Sequence, residues 1–134
     1  MLIRTAVLED IPRITQYDRH ISQEELDNLV RLGRVCICQD RGEFCGWLRW
    51  NLFWDNTPFL NLLYLLEPHR GKGFGREMMA HWEAAMKVQG YAAVMTSTAS
   101  DEYAQHFYRK LGYTAIGGFT PLGEVYELIF QKEL

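Results

Sequence analysis

Apolar residues follow two rhythms along this chain, and the places where the rhythm changes mark its elements. From Phe59 to Leu66 the sequence FLNLLYLL is a short, nearly unbroken apolar run, which predicts a strand buried on both faces. Phe74, Met78, Met79, Trp82, Ala85 and Met86 then recur at helical spacing, one stripe of an amphipathic helix. Upstream, Leu2 to Ala6 reads as a short strand, and Ile11, Ile14 and Tyr17 at steps of three form a helix face with Pro12 tolerated in the first turn. Ser22 and Glu25 make an S-x-x-E capping box ahead of Leu26, Leu29 and Val30, and Gly33 ends that second helix. Val35 to Gln39 and Cys45 to Trp54 read as strands joined through a hairpin turn at residues 40–43.

Downstream of Gly90, residues 91–98 predict a strand. Ser100 is the expected cap of a helix running through Leu111, and Gly112 is its stop. Residues 113–117 and 124–131 predict a final pair of strands across a loop holding Gly117, Gly118, Pro121 and Gly123. The order β-α-α-β-β-β-α-β-α-β-β implies a mixed α/β fold with a sheet covered on both faces.

Between the apolar run and the helix lies EPHRGKGFGREMM, with glycine at positions 71, 73 and 75. A helix N-terminus exposes unpaired amide N–H groups and carries about half a positive charge. Gly71, Gly73 and Gly75 let an anion reach those amides, and glycine tolerates positive φ where the loop bends. Arg70, Lys72 and Arg76 flank the site. A tight turn that merely needs glycine is the competing reading. Two familiar nucleotide loops do not fit. Gly71-Lys72 is followed by Gly73 rather than the hydroxyl residue of a G-x-x-x-x-G-K-[ST] loop, and the glycine register is not G-x-G-x-x-G.

Arg70-Gly71-Lys72-Gly73-Phe74-Gly75 matches the R-x-x-G-x-G signature that closes the fourth strand of the GCN5-related N-acetyltransferases, the GNAT superfamily. AQHFYRKLGY, from Ala104 to Tyr113, resembles that family's A-x-x-x-Y-x-x-x-G-[FY] helix end, with Tyr108 and Gly112 in place. The chain is therefore similar to that family over its whole length in element order, and strongly so in these two segments. The resemblance implies the acyl-CoA N-acyltransferase fold, an αβα arrangement around a mixed, mostly antiparallel sheet of six to seven strands. It also implies that acetyl-CoA is the cosubstrate. Its pyrophosphate would lie on the backbone from Gly71 to Gly75, including Phe74, with Arg70 and Lys72 alongside, and its pantetheine arm would pair with the fourth strand at Leu65 and Leu66. Lys72 as a solvated surface group and Arg70 as a loop brace remain the alternatives. Asp101 stands where family members commonly carry an asparagine that holds the pantetheine, and a carboxylate accepts hydrogen bonds without donating them.

At 134 residues, 48% of them hydrophobic, the chain suits one domain over residues 1–134. A net charge of −3 argues against nucleic-acid or anionic-membrane partners. With no 18-residue apolar run and no charged-then-apolar leader at Met1, a cytoplasmic location is expected. Three cysteines and four scattered histidines offer no metal-ligand spacing, so no metal is expected and the thiols read as free and buried.

Acetyl transfer needs an acid for the departing thiolate and a base for the amine. Tyr108 is the candidate acid, since Ala104, Phe107, Tyr108 and Leu111 share one helix face. A tyrosine that only packs is the alternative. Glu67 is the candidate base, with Asp55, Asp101 or an ordered water chain as alternatives. Trp47, Trp50, Phe53 and Trp54 either line an acceptor cleft or belong to the core. The expected acceptor is a small primary amine, with a peptide N-terminus or lysine as competitor, and the expected assembly is a monomer or homodimer. An acyl-CoA sensor without turnover, or an interaction domain with a structural glycine loop, are the non-enzymatic alternatives.

Overall fold

A computed structural model describes all 134 residues. Seven strands form one sheet in the order β1-β2-β3-β4-β5-β7-β6. They are β1 (Leu2–Thr5), β2 (Val35–Asp40), β3 (Glu43–Phe53), β4 (Thr57–Leu65), β5 (Ala93–Ala99), β6 (Thr114–Phe119) and β7 (Glu127–Glu133). Four helices accompany them: α1 (Ile11–Thr15), α2 (Gln23–Arg31), α3 (Phe74–Val88) and α4 (Ala104–Lys110). β4 and β5 run parallel, whereas β1/β2, β2/β3, β5/β7 and β6/β7 are antiparallel. The sheet is thus mixed, as the element order implied. No helix is long and apolar enough to cross a membrane.

The chain divides into two compact units, Met1–Asn51 with Leu62–His81, and Leu52–Asn61 with Trp82–Leu134. In the first, Ala6, Ile11, Ile14, Leu26, Leu29, Val30, Val35, Ile37, Phe44 and Trp47 form a continuous core. The sequence rhythm explains why α2 joins it. The Ser22 hydroxyl accepts from the Glu25 N–H at 3.2 Å, and Gly33 leaves the helix at φ +73°. Between these stops Leu26, Leu29 and Val30 turn one face inward. Gly46 is needed where β3 meets β4, because a Cβ there would strike the Tyr64 carbonyl oxygen and the Leu65 side chain.

This core also encloses a charge pair. Arg49 Nε lies 2.8 Å from Asp18 Oδ2, and Trp47 Nε1 (3.2 Å) and the His20 N–H (3.1 Å) also donate to that carboxylate. Desolvation pushes the Asp18 pKa up, but the Arg49 hydrogen bond, the His20 N–H, the Arg49 charge and the Trp47 N–H together outweigh it and hold the carboxyl below its usual value.

In the second unit, β5 pairs with β7 along its whole length, from Ala93↔Glu133 to Ala99↔Glu127. Tyr108, Tyr113 and Phe130 pack ring against ring, with centroids 5.7 Å apart for Tyr108–Tyr113 and 6.5 Å for Tyr108–Phe130. Glu83 on α3 accepts from the Tyr113 hydroxyl at 2.8 Å and pairs with Lys132 at 2.7 Å, which ties α3 to β7 and to the chain after α4.

Three expectations need correction. The apolar run 59–66 is not buried on both faces: in β4 only Pro58 and Leu60 are buried, while Asn61 and Tyr64 are exposed. Side chains of a strand are buried only where another layer covers the face they point to, and an apolar sequence does not by itself supply that cover. Ser100 does not cap α4, which starts four residues later at Ala104 without a side-chain cap. Instead the Ser100 N–H donates to the Tyr126 carbonyl and its own carbonyl accepts from Gln105 Nε2, so the residue is spent in a turn. Trp54 is not on β3. It and Asp55 take positive φ (54° and 61°) in the turn to β4, which leaves the Trp54 ring 80% exposed.

Candidate active site

The first unit carries the glycine loop. β4 ends at Leu65, a 3-10 turn spans Glu67–His69, and α3 begins at Phe74, so the loop is a strand-to-helix connection. Gly71 and Gly73 adopt φ +75° and +85°, the left-handed region that side chains disfavour, and a Cβ on either would project into open space. Gly75 is different. It lies buried in the first turn of α3 and is not among the glycines with positive φ. Phe74 is half-buried and stacks on His69 with centroids 6.4 Å apart. The Glu77 N–H returns to the Gly73 carbonyl at 3.1 Å. The amides of the preceding turn, from Phe74 to Arg76, are the ones a helix N-terminus leaves for an outside acceptor.

Side chains around the loop divide into two kinds. Lys72 and Arg76 are exposed beside it. Arg70 is engaged elsewhere: its Nε donates to the Leu65 carbonyl at 2.8 Å, and its guanidinium carbon stands 5.2 Å from the centre of the Tyr64 ring. That geometry braces the end of β4. Leu65 and Leu66 are half-buried, and the Leu66 N–H already donates to the Cys45 carbonyl at 2.8 Å. Glu67 is exposed in the 3-10 turn, and its carbonyl accepts from the Arg70 N–H at 3.2 Å. Trp47 and Trp50 are buried, so of the four candidate aromatics only Phe53 and Trp54 reach the surface.

The second unit carries the tyrosine. Tyr108 sits on the inner face of α4, 7% exposed, in edge contact with Phe107 at 5.2 Å. Burial pushes its pKa up to about 12, the nearby Glu102 charge adds to that, and a hydrogen bond with the Thr96 hydroxyl opposes it. The phenol is therefore protonated throughout the neutral range. The buried Thr96 hydroxyl on β5 donates to the Leu60 carbonyl at 3.0 Å. Sequence reasoning missed Thr96. The signal available was alternation, since Val94, Thr96 and Thr98 fall on one face of a strand. Asp101 is exposed in the turn before α4, and Asp55 is exposed in the β3–β4 turn. No group of three or more His, Cys, Asp or Glu side chains converges in a way that would hold a metal.

The first unit thus carries a positive-φ glycine loop before a helix N-terminus, and the second carries a buried phenol. Comparison with known proteins extends this. No curated protein sequence matches the chain. Solved structures do match over nearly all of it. Ard1 from Thermoplasma volcanium superposes with a TM-score of 0.86 at 17% identity, covering 99% of this chain and 97% of that one. Ribosomal-protein-alanine N-acetyltransferase from Brucella melitensis gives 0.82 at 20% identity, covering all of both chains. PaiA N-acetyltransferase from Thermoplasma acidophilum, solved in complex with coenzyme A, gives 0.81 at 17% identity over 99% and 98%. At these identities the likeness establishes the fold. The family model described as the acetyltransferase (GNAT) family matches residues 5–113, and the chain belongs to that family.

Proposed function

We propose that this protein transfers the acetyl group of acetyl-CoA to the primary amine of a small molecule by direct attack on the thioester. The observation that carries this reading is the glycine loop. Gly71 and Gly73 hold positive φ with open space where side chains would be, immediately before the N-terminus of a 15-residue helix. That is a cradle for the pyrophosphate of CoA, with Lys72 adding a positive charge.

Bond making and breaking then need two proton transfers. The amine nitrogen attacks the thioester carbonyl carbon, a C–N bond forms, and collapse of the tetrahedral oxyanion breaks the C–S bond. Glu67 takes the amine proton, and Tyr108 supplies a proton to the departing thiolate. A phenol with a pKa near 12 is a weak acid toward a thiolate in water, where a thiol titrates near ~8.5. The burial that raises the phenol pKa also disfavours a thiolate and raises the sulfur's proton affinity, which narrows the gap.

The end-to-end match with a ribosomal-protein-alanine N-acetyltransferase supports a peptide N-terminus as the second acceptor reading. A thiol-release assay with acetyl-CoA against small amines, amino acids and peptides tests both. Turnover fastest with a small amine is the expected result. Turnover with peptides alone would select the second reading, and CoA binding without turnover by any acceptor would replace the enzyme with a sensor.

A further inference from the structure

The first unit holds a cavity to which the glycine loop contributes no residue. It measures about 190 Å³ and is lined by the segment entering α1 and by the hairpin that joins β2 to β3. That is below the roughly 300–1,000 Å³ of sites for drug-sized ligands, so its occupant has only a handful of heavy atoms. One side of it is firmly built. Arg4 on β1 donates twice to the Asp10 carboxylate, from Nη1 at 2.8 Å and from Nη2 at 2.9 Å, and the Val7 N–H donates to the same carboxylate at 2.8 Å. Arg4 Nε donates to Gln39 Oε1 at 3.3 Å, which fixes that amide and leaves its NH2 group as a donor for another acceptor.

Arg4 and Asp10 neutralise each other, and two lining charges remain. Glu9 and Arg13 are four residues apart with the acid first, the spacing and order that favour an ion pair on a helical face. No ion pair joins them. The Arg13 guanidinium lies instead over the Phe44 ring, 5.9 Å from its centre. Phe44 and Ile37 supply the apolar part of the lining. One small cavity therefore offers a cation, an anion, an amide donor and an apolar wall, with no net charge.

We propose that this cavity binds a free apolar α-amino acid as its zwitterion, with the carboxylate on Arg13 and the Gln39 amide, the ammonium group on Glu9, and the side chain against Phe44 and Ile37. An ammonium held by a carboxylate is favoured in its protonated form and is no nucleophile. The site is thus distinct from that of an acetyl acceptor, and the inference does not rest on the acetyl-CoA reading.

Nuclear magnetic resonance titrations of the free protein, without acetyl-CoA, read both place and affinity. The probes are L-valine, isobutylamine, which lacks the carboxylate, and isovalerate, which lacks the ammonium group. L-Valine should shift the amides of Gly42 and Phe44 and bind at least about tenfold more tightly than either analogue, since each has lost one charge-assisted pair. Arg13→Gln should weaken L-valine at least about tenfold and leave isobutylamine within about twofold of wild type. Glu9→Gln should weaken L-valine to a similar degree and leave isovalerate unchanged. Both side chains are exposed, so both variants should keep the wild-type Tm. No saturable shift with L-valine up to roughly 10 mM, shifts confined to residues outside the cavity, analogues that bind as tightly as L-valine, or variants that bind L-valine like wild type would each overturn the assignment.

Discussion

Gly73→Ala separates the two reasons for a glycine in the loop, and Gly33→Ala supplies its control. Gly73 sits at φ +85° and Gly33 at φ +73°, and a Cβ on either meets no atom within 4 Å. In the free protein both substitutions therefore carry only the backbone penalty of a left-handed alanine, about 1–2 kcal/mol. For a chain of this size that lowers the Tm by roughly 3–8 °C. The two differ in what fills the open space. At Gly73 the methyl would stand where a phosphate meets the amides, and loss of a charge-assisted hydrogen bond costs about 1.5–3 kcal/mol, or roughly 10- to 150-fold in Kd. At Gly33, beyond the C-terminus of α2, no ligand is expected. Differential scanning calorimetry gives the stabilities and titration calorimetry the acetyl-CoA affinities. Equal Tm losses with affinity lost only in Gly73→Ala is the expected result. Equal affinities in the two variants would refute the claim that the open space at Gly73 belongs to a phosphate.

Three other perturbations follow from the same geometry. Arg49→Met should destabilise the fold by about 3–5 kcal/mol in urea unfolding, because it strands the buried Asp18 carboxylate. The Asp18 pKa is held down in the folded state, so its stabilisation is present above the unfolded value near 3.8 and is lost as pH falls through the folded pKa. Acid titrations of wild type and Asp18→Asn should diverge there. Tyr108→Phe should lower kcat about 10²- to 10⁴-fold with acetyl-CoA affinity nearly unchanged, and wild-type activity should show no tyrosine-dependent loss until pH approaches 12. A wild-type rate in Tyr108→Phe would make the residue a core side chain. Lys72→Ala should weaken CoA binding modestly at low salt and barely at high salt, because the side chain is exposed, and equal loss at both would show that it does more than add charge.

Much of this was legible in the sequence where a single physical rule decides the outcome. Ser22, Glu25 and Gly33 bounded α2 because capping is local. The glycines between an apolar strand and an apolar helical stripe located the loop because positive φ excludes side chains. Reading failed where burial depends on what packs over a face of the sheet. The run 59–66 was apolar enough for a two-faced core strand, yet Tyr64 is exposed. Ser100 has the chemistry of a cap, and its main chain is drawn instead to Tyr126 and Gln105, partners that local sequence does not reveal. The Asp18–Arg49 pair left a trace that was there to read. An arginine set between Leu48 and Trp50 in a buried strand demands a carboxylate, although nothing local points to residue 18.

The most direct test of the central claim is the thermal unfolding of the wild-type protein with and without acetyl-CoA. If the loop from Gly71 to Gly75 holds the cosubstrate, acetyl-CoA at about one hundred times its Kd should stabilise the fold by roughly 2.7 kcal/mol. For a chain of this size the Tm should rise by several degrees, while NAD and ATP at the same concentration should change it far less. An unchanged Tm with acetyl-CoA and CoA at millimolar concentration would contradict the account.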